Sequence, residues 1–101
     1  MKIAIVLCTF NRIDCLKIAL QKYENQTVKP DFMVIVNNAS TDGTKEYLDK
    51  WEGSPSSIKK IIIHNKQNIG GSGGFSRGVE EALKLDCDYM FLADDDAFAE
   101  S

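Results

Sequence analysis

Three consecutive carboxylates, Asp94, Asp95 and Asp96, directly follow the apolar run YMFLA at residues 89–93. A short apolar run behind a helical segment is typical of a buried parallel strand, and open α/β sheets bind ligands at the carboxyl ends of such strands. Strand alternation points Asp94 and Asp96 to one side, about 6.6 Å apart, and Asp95 to the other. The outer pair can share one cation. The alternative is a solvated acidic turn, which the position after a buried strand makes the weaker interpretation.

A glycine-rich segment, Gly70, Gly71, Ser72, Gly73 and Gly74, precedes the third predicted helix. Its backbone amides could approach an anion at the N-terminus of that helix, where the helix dipole also favours negative charge. The segment matches neither the dinucleotide pattern, which follows a first strand, nor the Walker A loop. A tight turn with close helix packing explains the glycines equally well.

The remaining reactive side chains indicate no nucleophilic chemistry. His64 is the only histidine and ends a predicted strand, which favours a half-buried strand residue over a catalytic base. Cys8, Cys15 and Cys87 share no metal-ligand spacing, so reduced thiols in a cytoplasmic protein are expected. No serine lies in a nucleophile elbow.

Composition indicates one globular domain. The chain has 101 residues, of which 44% are hydrophobic and 27% charged, with a formal net charge of −3. The basic residues are dispersed, so neither a nucleic-acid partner nor an anionic membrane surface is indicated. The apolar run at residues 3–8 is too short for a signal peptide or a membrane span.

Strands and helices alternate along the chain. Strands are predicted at residues 2–7, 32–36, 60–64 and 89–93, the first helix from Asp14 as N-cap to about Asn25, a second helix capped by Thr44, and a third after a loop at 65–74. This order predicts an α/β fold with a parallel Rossmann-like βαβαβαβ sheet, whose polar loops emerge at one edge. The predicted buried helix faces are Leu16, Ala19, Leu20 and Tyr23; Tyr47, Leu48 and Trp51; and Phe75, Val79, Ala82 and Leu83.

Four motifs follow one another along the chain: CTFNR at residues 8–12, NNASTDGT at 37–44, NIGGSGGFSRG at 68–78 and DDD at 94–96. Together they resemble the amino-terminal half of a family 2 glycosyltransferase of the GT-A fold. The last two motifs are most similar to those of galactofuranosyl and rhamnosyl transferases. Many members of the family carry an acid where this chain has Asn37 and Asn38, which leaves the choice of nucleotide open.

The resemblance implies a site for a nucleotide-diphosphate sugar, UDP- or dTDP-linked, within a single truncated donor-binding domain at residues 1–101. Asp94 and Asp96 match the DXD pair that holds Mg²⁺ or Mn²⁺, and the first and fourth strands should be neighbours. The implied donor-site residues are Thr9, Phe10, Asn11, Arg12, Asn38, Asn68, Gly70, Gly71, Asp94 and Asp95.

The implied reaction is inverting transfer of the sugar to a hydroxyl of a glycan or lipid-linked acceptor. Its general base is expected beyond Ser101, so the chain alone should be inactive, and self-association through uncovered apolar faces is expected. Two alternatives remain. A sugar-phosphate nucleotidyltransferase should carry a glycine-rich basic loop after the first strand, where this chain has one arginine and no glycine. A non-catalytic interaction module would bind no nucleotide at the same rim.

Overall fold

A computed structural model describes residues 1–95, and Asp96 lies outside this range. The described elements alternate as predicted: β1 (Ile3–Thr9), α1 (Ile13–Asn25), β2 (Phe32–Asn37), α2 (Thr44–Glu52), β3 (Lys59–His64), α3 (Gly70–Ala82) and β4 (Tyr89–Asp94). All strand pairs are parallel, in the order β3-β2-β1-β4. The predicted Rossmann-like α/β fold is therefore confirmed, with the first and fourth strands adjacent.

The two central strands, β1 and β2, are covered on both faces. Ile5 and Leu7 pack with α1 and α2, whereas Val6 packs on the opposite face with Ala82 of α3. This division follows from the two-residue period of a strand, because neighbouring side chains point to opposite faces. Burial of both faces explains why these strands are almost continuously apolar.

Helix α1 buries the predicted face but begins differently from the prediction. Leu16, Ala19, Leu20 and Tyr23 are all buried. Asp14 is not the N-cap, since the helix begins at Ile13, whose backbone N–H donates to the Asp42 carboxylate at 3.0 Å. A side chain from the loop after β2 thus satisfies a free N–H group of α1, which no local capping pattern could reveal.

Helix α2 also starts without the predicted cap. Thr44 is its first residue, and Gly43 occupies the N-cap position with a φ of 92°. The Thr44 hydroxyl instead donates to the Asp42 carboxylate. Leu48 and Trp51 are buried as predicted, whereas Tyr47 is only partly buried.

Helix α3 begins earlier than predicted, at Gly70, so residues 70–74 form its first turns rather than a loop. Its buried residues are Gly74, Gly78 and Ala82. A Cβ at Gly78 would lie 2.5 Å from Val6 Cγ1, and one at Gly74 would collide with the Cys8 sulfur. Close packing of the helix against the sheet therefore requires both glycines. Of the predicted buried face, Ala82 is buried, Phe75 and Val79 are only partly buried, and Leu83 follows the helix and is 72% exposed.

The prediction that β4 is a buried interior strand is wrong for the described residues. Within residues 1–95, β4 pairs with β1 alone and forms an edge of the sheet. Tyr89, Phe91 and Leu92 are each more than half exposed. The apolar run does form the predicted strand, but its hydrophobicity alone does not show whether other elements of the described chain cover that strand.

No helix within residues 1–95 combines the length and apolar character needed to cross a bilayer.

Candidate functional site

A cleft of about 310 Å³ lies at the carboxyl ends of β1, β2 and β4, against the N-terminus of α3. It brings together every predicted donor-site residue except Asn11. Cys8 and Phe75 also line it and were not predicted as site residues, because their apolar surroundings in β1 and α3 indicated core positions. The lining residues are Cys8, Thr9, Phe10, Arg12, Asn38, Asn68, Gly70, Gly71, Phe75, Asp94 and Asp95.

The register of β1 and β4 separates the roles of the two described aspartates. Asp94 pairs with Cys8 and is exposed at the cleft. Asp95 is only 7% exposed, and its carboxylate accepts a 2.9 Å hydrogen bond from the Thr9 hydroxyl. Thr9 itself is 2% exposed. The Thr9 hydroxyl therefore holds Asp95 in place, while Asp94 presents its carboxylate to the cleft.

The described carboxylates could bind a divalent cation only together with further ligands. No group of three or more His, Cys, Asp or Glu side chains suited to a metal occurs within residues 1–95. Mg²⁺, however, is commonly held by one or two carboxylates together with substrate phosphates and water. Asp94 offers one such hard oxygen donor beside the cleft, and the predicted partner Asp96 lies outside the described residues.

Asn11 lies in the loop after β1 but does not line the cleft. Its backbone N–H donates to Ser40 Oγ at 3.0 Å, and its side-chain oxygen accepts from the Thr41 N–H at 2.6 Å. Its φ of 50° is a left-handed conformation that asparagine tolerates better than most residues. The structure thus places Asn11 as a connection between the loops after β1 and β2.

Asp42 strengthens the same connection. Burial opposes its ionisation, but hydrogen bonds from the Thr44 hydroxyl and from the backbone N–H groups of Ile13 and Thr44 outweigh burial and lower its pKa. The carboxylate thereby joins the start of α1 to the start of α2. The two loops bordering the cleft are held together by polar contacts between residues about 30 positions apart in sequence.

Asn38 connects the end of β2 to the start of α3. Its side chain donates to the Gly70 carbonyl at 3.0 Å, and its oxygen accepts from Asn65 Nδ2 and the Ile69 N–H, both at 3.1 Å. Asn68 completes the turn by accepting the Gly70 N–H at 2.8 Å. Gly70 has a φ of 79°, which favours glycine. Gly74 confirms the packing interpretation of the glycines, whereas Gly70 and Gly71 line the cleft and their approach to an anion stays a prediction.

His64 is partly buried at the end of β3, as predicted, and does not line the cleft. Its Nδ1 accepts from Asn37 Nδ2 at 3.1 Å, and its Nε2 then donates to Asp49 Oδ1 at 3.0 Å. Asn37 is 3% exposed, and its oxygen accepts the Ser40 N–H. These contacts fit a structural role for His64 between β2 and α2.

The cleft combines one guanidinium, from Arg12, with the carboxylates of Asp94 and Asp95. Burial raises the pKa of the Cys8 thiol, and the negative charges of Asp95 and Asp94 raise it further. The thiol is therefore protonated at neutral pH. The carboxylates create an acidic end of the cleft, and the N-terminus of α3 lies at its glycine-lined side.

Comparison with known proteins gives consistent results. The family profile described as "Glycosyl transferase family 2" matches residues 4–101. Galactofuranosyltransferase GlfT1 of Mycolicibacterium smegmatis is 33% identical over 91 residues, covering 90% of this chain and 28% of the relative. Cholesterol galactosyltransferase of Borreliella burgdorferi is 29% identical over 100 residues, covering 99% of this chain and 26% of the relative.

Solved structures share the fold at lower identity. The mannosyltransferase PcManGT from Pyrobaculum calidifontis, in complex with GDP-Man and Mn²⁺, superposes with a TM-score of 0.85 at 17% identity, covering 99% of this chain and 29% of its own. TarS of S. aureus with UDP-GlcNAc gives a TM-score of 0.77 at 19% identity, covering 95% and 27%. The chain thus spans less than a third of the length of these relatives and structures. From the profile match across nearly all of its residues, the chain belongs to glycosyl transferase family 2.

Proposed function

We propose that this chain forms the donor-binding part of a glycosyltransferase that uses a nucleotide-diphosphate sugar. The observation that supports this most directly is the cleft, which gathers residues from the ends of three strands and the start of α3 beside Asp94. Crevices at the carboxyl ends of parallel strands are the usual ligand sites of open α/β sheets.

The nucleotide is proposed to lie along the loop after β1. Phe10 is 43% exposed at the cleft, so its ring can pack against a base or ribose. Arg12 lines the same cleft and supplies a guanidinium suited to phosphate oxygens. The two side chains therefore favour an anionic, partly aromatic ligand.

The diphosphate is proposed to lie against Gly70 and Gly71. Both glycines line the cleft at the first turn of α3, where the helix dipole favours negative charge. The first turn of this helix contains no acidic residue that would oppose an anion. Glycine also permits close approach of the backbone to phosphate.

Asp94, together with Asp96 from beyond the described residues, is proposed to hold Mg²⁺ or Mn²⁺. When bound, such a cation supplies Lewis-acid stabilisation of the charge that develops on the leaving diphosphate. Asp95 is proposed to support the site indirectly, because the Thr9 hydroxyl fixes its carboxylate at the end of β4. The oxygen donor set suits a hard divalent cation.

Transfer to an acceptor hydroxyl also needs a group that removes the hydroxyl proton. We propose that this general base, and the acceptor site for a glycan or lipid-linked hydroxyl, are supplied outside the described residues. We also propose that the transfer is inverting and that the 101-residue chain binds donor without transferring its sugar. Relatives named galactofuranosyltransferase, at 33–35% identity, favour a galactofuranosyl donor within the family.

Titration calorimetry with UDP and Mn²⁺ tests the proposal. Asp94→Ala should weaken binding by at least about tenfold, the scale on which changes around a metal site weaken metal binding, and Mn²⁺ should increase its affinity for UDP less than it does for wild type. Asp86→Ala is the control, because it removes the same charge from an exposed side chain before β4, at the opposite end of the strand. Equal affinity for wild type and Asp94→Ala, or no binding by wild type, would contradict the proposed donor site.

A further inference from the structure

We propose that Asn38 is a positioning residue that sets the glycine wall of the cleft, here defined as Gly70 and Gly71, and that this position requires an amide. The consequence for ligand affinity rests on the proposed function. The positioning itself does not, because it follows from contacts within the chain.

The hydrogen bonds of Asn38 are the first observation. The residue is 2% exposed, so its polar atoms depend on protein partners. One side of the amide donates to the Gly70 carbonyl at 3.0 Å, while the other accepts from Asn65 Nδ2 and the Ile69 N–H at 3.1 Å. The Ile69 N–H and the Gly70 carbonyl flank the Ile69–Gly70 peptide bond, where α3 begins, so Asn38 holds both sides of that bond.

The position of Asn38 in the sheet is the second observation. Its backbone N–H donates to the Thr9 carbonyl at 2.9 Å, which ties the residue to the end of β1. A Cβ placed on Gly74 would lie 3.4 Å from Asn38 Nδ2, so α3 also packs closely above the amide. Asn38 is thereby held by the sheet, and its side-chain hydrogen bond to Gly70 holds the glycine wall relative to the sheet.

An acid cannot replace this amide without a proton. With aspartate at position 38, a carboxylate oxygen would face the Gly70 carbonyl, and two acceptors would meet where a donor and an acceptor now pair. Burial and the facing carbonyl would both raise the pKa of the introduced acid. The protonated acid could donate to Gly70, so low pH should restore the contact.

The preceding asparagine provides a matched control. Asn37 is equally buried at 3%, but its Nδ2 donates to His64 Nδ1 rather than to a carbonyl. Either nitrogen of an imidazole can carry the ring proton, so His64 Nδ1 can become a donor to an aspartate at 37. The two neighbouring positions therefore differ in whether the partner can switch from acceptor to donor.

Other charges near position 38 must be held constant. Cys8, Arg12, Asp94 and Asp95 line the same cleft and are shared by all variants. Each variant is therefore compared with wild type at the same pH. The difference isolates the introduced carboxyl group.

The test measures amide hydrogen exchange and thermal unfolding of wild type, Asn38→Asp and Asn37→Asp from pH 8 to pH 5. At pH 8, Asn38→Asp should speed exchange in the segment at residues 65–74 and lower the Tm by about 5–15 °C. A raised pKa in the folded state means that stability falls as pH rises, so this deficit should shrink towards pH 5. Asn37→Asp should leave exchange in that segment near wild type.

Three results would overturn the inference: unchanged exchange in Asn38→Asp, equal effects of the two variants, or a deficit that does not shrink at low pH. If Asn38→Asp does not fold, Asn65→Ala decides, because it removes only one donor to the Asn38 oxygen. Asn65→Ala should speed amide exchange at residues 65–74 relative to wild type. Exchange unchanged from wild type would refute the role of Asn38.

UDP–Mn²⁺ titration then connects the residue to the site. At pH 7.5, Asn38→Asp should bind about tenfold more weakly than wild type and regain affinity at pH 5.5, whereas Asn37→Asp should remain within about twofold. Binding by Asn38→Asp equal to that of wild type would refute the effect on the cleft. If wild type itself binds no UDP, the proposed function fails, while the exchange comparison still decides whether Asn38 positions the wall.

Discussion

Gly78→Ala tests whether close approach of α3 to the sheet determines stability. The added Cβ would lie 2.5 Å from Val6 Cγ1 and 3.0 Å from Val36 Cγ2. Both valines are fully buried and β-branched, so neither side chain can rotate away easily. Overpacking of this kind costs about 1–3 kcal/mol.

Alanine also has a favourable effect that must be subtracted. Within a helix it is more stable than glycine by about 1 kcal/mol. Because a 2.5 Å contact lies far inside van der Waals distance, the upper end of the overpacking cost applies, and a net loss of about 2 kcal/mol in the free energy of unfolding remains. For a domain of this size, that corresponds to a fall in Tm of about 8–16 °C.

Urea and thermal unfolding of Gly78→Ala and Gly71→Ala provide the comparison. A Cβ at Gly71 would meet nothing within 4 Å, so this variant should be unchanged or slightly more stable. Val6→Ala in the Gly78→Ala background should cost less than Val6→Ala alone, because it removes the colliding methyl group. If Gly78→Ala were as stable as wild type, the packing explanation for this glycine would be wrong.

The remaining predictions concern two titrating groups, Asp42 and Cys8. The pKa of Asp42 lies below its ordinary value of 3.8, so the ionised carboxylate stabilises the fold at pH values above 3.8. This stabilisation is lost as the pH falls through the lowered pKa. The difference in unfolding free energy between wild type and Asp42→Asn should therefore narrow from pH 6 to pH 3, and a constant difference would contradict it. The raised pKa of Cys8 predicts that its alkylation by iodoacetamide keeps accelerating above pH 9, the ordinary thiol value. UDP with Mn²⁺ should slow alkylation of Cys8 but not of Cys87, as measured by mass spectrometry, and equal protection of both thiols would count against occupancy of the cleft.

The sequence alone was sufficient for the order of elements and the location of the cleft. The buried face of α1 follows directly from helical spacing, because side chains at three- and four-residue intervals share a face. The cleft could be located because carboxyl ends of parallel strands meet at one edge of the sheet. Family motifs then indicated which residues at that edge to examine, and the cleft contains all of them in the described range except Asn11.

Only the tertiary structure decided what each polar side chain does at that edge. Asn11 and Asn38 are both polar loop residues in the sequence, yet Asn11 joins two loops and Asn38 sets the glycine wall. Asp94 and Asp95 are neighbours in sequence, but strand register leaves Asp94 exposed and brings the Asp95 carboxylate within hydrogen-bonding distance of the Thr9 hydroxyl. Periodicity encodes the buried face of an element, whereas hydrogen-bond partners about 30 or more residues apart depend on strand register and helix packing, which no local pattern contains.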